Sequence, residues 1–307
     1  MKRSALEAML AICTILGVAA GASKLAPRTT AEAPSRASHG FVRDASGTEI
    51  PRGPRRCIVS ASTVSDRLVT ELVGPQALCA VATPQRCTRP WCVALREKPR
   101  FSTLDDLALL TRVAPDLVIT ANPGPPARLL RLREAGLAVF DIGPGTGLES
   151  LREATRALGR VLDVEPVAEA YWSRFMRRMR SVAPDGLADR PRALYLGLYG
   201  STLVGGARDT SWHDVLETAG LRDAAEDRTG WPSWSAIDVA ERNPSVIVTE
   251  TGMGAALCAR DGLSRTEACA TGRIAEIDSD LLGDPGPTML EASEALANRI
   301  AELSARR

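Results

Sequence analysis

The chain has 307 residues, of which 45% are hydrophobic, and this length allows about two domains that each bury a core. Its 38 lysines and arginines nearly balance 37 aspartates and glutamates, so charge gives no reason to expect a nucleic acid or an anionic membrane as a partner. Only two histidines occur, which argues against a histidine-built zinc or copper site, and no metal site is predicted.

The N-terminus has the features of a secretory signal peptide over residues 1–22. A basic start precedes an apolar stretch from Ala8 to Ala20, and Ala20-Gly21-Ala22 is a typical cleavage site. The apolar stretch, at about 13 residues, is short for a bilayer span. We therefore expect export to the periplasm with cleavage after Ala22; an uncleaved anchor is the alternative. The composition of residues 23–40 predicts a flexible leader.

The segment 41–147 predicts a first lobe in which strands alternate with helices, the pattern of a parallel sheet. A hairpin over 41–50 comes first. The strands that follow are expected over 57–61, 78–82, 117–121 and 137–142, and the helices over 64–73, 104–113 and 125–135.

The segment 148–184 is predicted to be helical and to connect this lobe to a second one over 185–307. Its second helix, over 166–182, contains no glycine and would be about 25 Å long, so we expect a stiff connection and a small hinge. The strands of the second lobe are expected over 192–199, 245–250 and 273–278, and its helices over 211–219, 235–242 and 288–305.

Two segments that end in the same way support this division. Ala114-Pro115-Asp116-Leu117-Val118-Ile119-Thr120 and Asn243-Pro244-Ser245-Val246-Ile247-Val248-Thr249 each follow a helical pattern and carry a proline before an apolar, β-branched run. Proline stops a helix, and such a run is typical of a strand buried on both faces. The predicted fold class is therefore α/β, with two similar Rossmann-like lobes, each around a parallel sheet, joined by one long helix. Two such lobes usually enclose a ligand between them.

Cleavage after Ala22 would leave six cysteines, and an even number in an exported chain predicts disulfides. Cys87 with Cys92 and Cys258 with Cys269 would close the shortest loops. The pairing of Cys57 with Cys79, which open two predicted strands, follows less directly from spacing. No Cys-x-x-Cys occurs, so disulfides are favoured over a metal site.

Three tryptophans, Trp91, Trp231 and Trp234, fall in loops at the predicted carboxyl ends of the strands, where ligands of parallel α/β sheets bind. One indole carries about 150–250 Å² of mostly apolar surface, so exposed rings there indicate a large, flat, partly apolar ligand. The alternative is that one of the rings completes the core of its own lobe.

Three polar side chains are further candidates for ligand contacts. Tyr199 ends a predicted strand, where its phenol could hydrogen-bond a ligand or coordinate ferric haem. Arg86 and Arg89 could pair with a phosphate or carboxylate. The alternative for each is a solvated loop residue. Enzymatic motifs are missing: Gly143-Pro144-Gly145-Thr146-Gly147 lacks the lysine of a phosphate-binding loop, and no Gly-x-Ser-x-Gly occurs, so we do not expect an enzyme.

Four landmarks resemble a known family in their order and spacing: Asp44-Ala45-Ser46-Gly47, Pro54-Arg55-Arg56-Cys57-Ile58-Val59-Ser60, Ala114-Pro115-Asp116-Leu117-Val118-Ile119 and Pro285-Gly286-Pro287. They are similar to those of the helical-backbone (class III) periplasmic binding proteins, the substrate-binding components of ABC importers for cobalamin, iron–siderophores and haem. The resemblance covers about residues 41–305. It implies a monomer without an intrinsic cofactor that delivers its ligand to a permease in the inner membrane.

Within that family, Asp227-Arg228-Thr229-Gly230-Trp231-Pro232 is most similar to the cobalamin-binding members, in which the matching tryptophan packs against the corrinoid. The resemblance implies that role for Trp231, with Phe101 and Trp91 as approximate counterparts of first-lobe aromatics. It also implies one permease-docking acid on each lobe; the nearest matches are Asp105 or Asp106 and Asp238 or Glu241. Acids at helix starts have a second explanation in the helix dipole.

A corrinoid is therefore the expected ligand, with haem or a ferric siderophore as the alternative. Tyr199 favours haem, whereas the pair Trp231 and Trp234 favours the corrinoid. Two other classes of protein remain open, a membrane-anchored sensory module and an exported α/β enzyme.

Overall fold

The computed structural model describes residues 40–305 except 85–86, 88, 102, 123, 183–189 and 283–285. The predicted signal peptide and leader, which end at residue 40, lie almost wholly outside the described residues. The strands are β1 (Phe41–Arg43), β2 (Glu49–Pro51), β3 (Ile58–Ser60), β4 (Leu78–Ala80), β5 (Leu117–Thr120), β6 (Val139–Asp141), β7 (Arg192–Tyr195), β8 (Gly197–Tyr199), β9 (Thr202–Val204), β10 (Arg222–Asp223), β11 (Ser233–Trp234), β12 (Val246–Glu250) and β13 (Ile274–Ile277).

Most helices lie close to their predicted positions. They are α1 (Thr63–Val73), α2 (Pro90–Val93), α3 (Leu107–Val113), α4 (Pro126–Glu134), α5 (Leu148–Val161), α6 (Glu165–Arg180), α7 (Ser211–Thr218), α8 (Ala236–Arg242), α9 (Gly254–Cys258), α10 (Glu267–Ala270), α11 (Ser279–Leu282) and α12 (Thr288–Ala305). The short helices α2, α9, α10 and α11 were not predicted, because one turn of helix is too short to show a periodic pattern.

Two four-stranded parallel sheets form the centres of two lobes. The first has the order β4-β3-β5-β6 and the second the order β10-β7-β12-β13. Numbered along the chain within each sheet, the strands of both have the order second, first, third, fourth. This repeated topology confirms the predicted fold of two similar α/β lobes, each with a central parallel sheet.

The two similar sequence segments occupy the same place in the two sheets. They contain β5 and β12, the third strand of each sheet. The helix before each strand ends on a residue in the left-handed region, Ala114 with φ 48° and Asn243 with φ 41°. A left-handed residue followed by proline cannot continue a helix, so the chain turns directly into the strand.

Helix α6 connects the lobes and packs against α5, α1 and α12. One apolar core runs past it from the first sheet to the second: it includes Ile58 of β3, Phe175 of α6 and Val248 of β12. The lobes are therefore held together by continuous packing as well as by the helix. This packing supports the expectation of a small hinge, which stays a prediction.

The strand predicted over 192–199 is interrupted. Strand β7 ends at Tyr195, and β8 leaves the parallel sheet to join a small antiparallel sheet with the order β11-β9-β8. Strands of two or three residues give no alternating pattern in a sequence, which is why this sheet was not predicted.

Three disulfides join the six cysteines of the described residues. They are Cys57–Cys79, Cys87–Cys92 and Cys258–Cys269. The first joins the residue before β3 to the middle residue of the adjacent β4, and the second joins Cys87 to Cys92 of α2, the helix that carries Trp91. Disulfides stabilise a fold mainly by restricting the unfolded chain.

Candidate ligand-binding site

Three aromatic rings form a ladder at the carboxyl end of β7. Trp212 is fully buried, and its ring stacks on Tyr195 with a centroid distance of 4.2 Å and an interplanar angle of 7°. Trp231 also contacts Tyr195, its ring nearly perpendicular to that of Tyr195 with a centroid distance of 6.2 Å. Trp231 is 50% exposed, whereas Tyr195 is only 6% exposed. The ladder therefore braces one half-exposed indole on two buried rings; we call Trp231, Tyr195 and Trp212 the aromatic ladder.

The loop that carries Trp231 is held by backbone pairing. The amide of Ala207 donates to the carbonyl of Gly230, and the amide of Gly205 donates to that of Pro232. Gly206 lies beneath the ladder, where a Cβ atom would come within 2.7 Å of Thr210 Oγ1 and 2.9 Å of Trp212 Cβ. Only glycine fits this approach, because real Cβ atoms do not come so close to other atoms.

Tyr199 lies close to the ladder on the exposed hairpin of β8 and β9. Its ring is 70% exposed, and a Cβ atom placed on Gly197 would lie 3.4 Å from Tyr199 Cε2 and 3.5 Å from the hydroxyl of Tyr195. Burial raises the pKa of Tyr195, and the nearby Tyr199 adds to that rise, so the Tyr195 phenol keeps its proton. The structure thus brings Trp231 and Tyr199 together around Tyr195, which sequence reasoning did not single out.

Trp91 belongs to a different environment, at the junction of the first lobe with α12. Its ring is partly buried against the core, and the guanidinium of Arg67 lies 5.5 Å from its centroid. Its Nε1 is buried without a hydrogen-bond partner among the described residues. Arg89, two residues earlier, pairs with Glu291 of α12 at 3.5 Å. The role of Trp91 as a ligand contact stays a prediction.

Two of the aromatics expected at the cleft surface are buried in the lobe cores. Phe101 is 2% exposed and packs in the core of the first lobe. Trp234 is 6% exposed in the core of the second lobe, and the guanidinium of Arg242 lies 4.7 Å from its ring centroid. Neither ring offers a surface to a ligand, because each fills its own lobe as core aromatics usually do. Arg86 lies outside the described residues.

A buried carboxyl group at the carboxyl ends of the first-lobe strands was also missed. Asp66 of α1 is fully buried, and its Oδ2 accepts hydrogen bonds from the amide and hydroxyl of Thr83 at 2.5 and 2.6 Å. Its Oδ1 has no partner among the described residues. Burial raises the pKa of Asp66 to about 6, although the hydrogen bonds that the carboxylate accepts act to lower this pKa. The bond to Thr83 fixes the start of the loop that leads to Trp91.

Another carboxyl group joins the second lobe to the connecting segment. Asp214, in the first turn of α7, accepts a hydrogen bond from the amide of Leu148 at the start of α5, at 2.6 Å. The N-cap residue of α5 is Gly147, which has no side chain to satisfy that amide. Asp214 therefore caps a helix of the connecting segment from the second lobe.

The four candidates for the two permease-docking acids, one on each lobe, differ in their local contacts. Asp105 pairs with Arg128 at 3.2 Å and with Arg131 at 2.9 Å. Asp106 caps α3, and Asp238 forms a reciprocal cap with Ser235 at the start of α8. Glu241 is exposed and takes part in no ion pair among the described residues. Helix capping thus gives Asp106 and Asp238 a role within the chain, in addition to the helix-dipole explanation.

The described residues contain no group of three or more histidine, cysteine, aspartate or glutamate side chains that could hold a metal ion. Among those same residues, no helix combines the length and apolar character needed to cross a bilayer.

Comparison with known proteins agrees with the fold. Residues 106–281, more than half of the chain, match the sequence profile of the Periplasmic binding protein family. The cobalamin-binding protein of Halobacterium salinarum is 28% identical over 202 residues, which cover 60% of this chain and 53% of that protein. The chain therefore aligns with only about half the length of this curated relative.

Solved structures share the architecture. A periplasmic haem-binding protein from Pseudomonas aeruginosa is 27% identical with a TM-score of 0.66, over 79% of this chain and 91% of that one. The periplasmic vitamin B12-binding protein of Vibrio cholerae is 19% identical with a TM-score of 0.62, over 82% of this chain and 99% of that one. These findings confirm the resemblance that the sequence landmarks indicated. The chain belongs to the Periplasmic binding protein family.

Proposed function

We propose that this chain is the exported substrate-binding component of an ABC importer and that its ligand is a corrinoid, bound between the lobes against Trp231. The observation that carries the proposal is the half-exposed indole of Trp231 on two buried rings. An exposed indole is unfavourable in water, and a flat, partly apolar ligand would cover it at a gain of about 25 cal/mol per Å² before association costs. The Halobacterium relative, named as cobalamin-binding, supports the choice of ligand.

The mechanism would be binding alone, with no bond made or broken. A braced ring loses little freedom when a ligand lies on it, so rigidity of the ladder favours affinity. Polar groups around Trp231, including the exposed Arg228, would orient the periphery of the ligand. Trp91 is proposed as the contact from the first lobe.

Delivery would use the helix starts that are equivalent in the two lobes, those of α3 and α8. Asp105 or Asp106 on the first lobe and Asp238 or Glu241 on the second are the proposed contacts for permease arginines. The matched positions of α3 and α8, each before the third strand of its sheet, support a partner with two similar subunits.

Haem is the second candidate, because one observation favours it. Tyr199 presents an exposed phenol near the ladder, and a tyrosine oxygen can coordinate ferric iron. The Pseudomonas aeruginosa relative, a haem-binding protein by name, supports this alternative.

A thermal-shift panel with cyanocobalamin, cobinamide, haemin and ferric siderophores tests the proposal on the purified exported protein. A ligand at about 100 times its dissociation constant should stabilise the protein by roughly 2.7 kcal/mol. We expect a shift with cyanocobalamin that Trp231→Ala removes and the control Trp172→Phe keeps. A shift with haemin alone that Tyr199→Phe abolishes would replace the corrinoid by haem.

A further inference from the structure

A cavity lies away from the aromatic ladder, where helices of both lobes meet the connecting helix. It measures about 350 Å³, is open to solvent, and is lined by residues of α1, α6 and α12. Its lining contains four arginines, Arg67, Arg174, Arg177 and Arg178, and one carboxylate, Glu71. We call it the junction cavity.

The positive charge of the junction cavity is only partly neutralised. Arg67 pairs with Glu291 at 2.7 Å, and Arg178 pairs with Glu294 at 2.6 Å. Among the described residues, no carboxylate lies within ion-pair distance of Arg174 or Arg177. Arg177 and Arg178 follow Arg174 by three and four residues on α6, so both lie on the same face of the helix as Arg174.

Two of the buried side chains of the cavity, Arg67 and Tyr171, carry hydrogen-bond donors. Arg67 is only 8% exposed, and its Nε has no hydrogen-bond partner in the described part of the chain. Burial raises the pKa of Tyr171, which lines the same cavity, so its phenol keeps its proton. A donor-rich, arginine-lined cavity is complementary to an anion with several acceptor oxygens.

We propose that the junction cavity binds a phosphate-bearing anion. A phosphate group can accept from several guanidinium groups at once, which a single carboxylate does less well. Since the lining comes from the first lobe, the connecting helix and the second lobe, an occupant would hold these elements together. The phosphate could belong to a free anion or to a lipid headgroup.

Calorimetric titration of the purified exported protein with pyrophosphate, at fixed ionic strength, tests the proposal. Wild type and the control Arg112→Gln, an exposed arginine of α3, should bind equally. The double variant Arg174→Gln/Arg177→Gln should bind at least about tenfold more weakly, because two charge-assisted contacts are lost. Glu71→Gln should bind more tightly, a gain that misfolding cannot produce.

Vesicles of phosphatidylglycerol and of phosphatidylcholine, in a sedimentation assay with the same proteins, distinguish the two sources of phosphate. Pyrophosphate binding with the stated variant pattern assigns a free anion. Binding to phosphatidylglycerol vesicles alone, lost in the double variant, assigns a lipid headgroup. The proposal is overturned if the protein binds neither pyrophosphate nor phosphatidylglycerol vesicles, or if the double variant binds as tightly as wild type.

Discussion

Asp66 has an unusual environment for an acid, since it is fully buried and one of its carboxylate oxygens has no hydrogen-bond partner among the described residues. Its folded-state pKa of about 6 lies above the ordinary value of 3.8. The folded protein therefore binds a proton more readily than the unfolded chain. The contribution of this group to stability is fully present below about pH 4 and is lost as the pH rises through about 6.

Asp66→Asn should remove this pH dependence. The amide oxygen can accept both hydrogen bonds from Thr83, while no charge is buried at neutral pH. We expect the stability of the variant relative to wild type to rise by about 3 kcal/mol between pH 4 and pH 7.5. Urea unfolding across this range measures the stability difference, with the exposed Asp261→Asn as the control. A difference that stays constant with pH would contradict the buried-carboxylate account.

Trp231 and Phe101 show the limit of sequence reasoning for single residues. Both were predicted to contact the ligand, and one is 50% exposed while the other is 2% exposed. The residues next to them in the sequence do not show which of the two rings is exposed. Exposure depends on which distant elements cover a ring, and no local pattern records that.

Helices α3 and α8 illustrate what can be predicted for an element. Both were predicted from periodicity and a following proline, and both are present with side-chain caps at their starts. Their left-handed ends differ chemically, because asparagine tolerates φ near +50° better than alanine does. Ala114, at φ 48°, therefore carries backbone strain.

Ala114→Gly should relieve that strain. We expect the free energy of unfolding to increase by about 0.5–1 kcal/mol, since glycine adopts a left-handed conformation without a Cβ clash. The matched control is Ala135→Gly at the end of α4, where φ is −77° and glycine should instead destabilise. Urea unfolding of both variants provides the measurement. An equal loss of stability in both would show that Ala114 is unstrained.

The two lobes are joined by α6, by the continuous core and by polar contacts that include the hydrogen bond between Asp214 and the start of α5. This bond is the kind of contact that only tertiary structure creates. Gly147 cannot cap α5 through a side chain, so the second lobe supplies the cap.

Asp214→Ala should weaken this connection of the lobes. Loss of the cap is expected to lower the free energy of unfolding by about 1 kcal/mol, whereas Asp214→Asn, which keeps an acceptor oxygen, should lose less. Chemical unfolding measures the change, and hydrogen exchange at Leu148 reports on it locally. If the alanine and asparagine variants lose the same amount, the bond is not what stabilises this junction.

The aromatic ladder depends on the whole fold, because its rings come from three separate segments. Tyr195→Leu should leave Trp231 unbraced and weaken ligand binding by about tenfold, while Tyr195→Phe keeps the ring and should bind like wild type. The fluorescence of Trp231 in the two variants checks whether the ring has moved. Unchanged affinity in the leucine variant would show that support of Trp231 by Tyr195 does not contribute to ligand binding.

The sequence by itself determined the class of fold, the positions of the long helices, the repeated third strand of each sheet and the family. These follow from the spacing of apolar residues and from the prolines and glycines that end helices and strands. Both signals are visible within a short stretch of sequence. Tertiary structure alone decided which tryptophan stays at the surface, that Tyr195 supports it, and that Asp66 and Asp214 are enclosed. Those outcomes depend on contacts between residues far apart in the chain, and burial is a property of the packed whole.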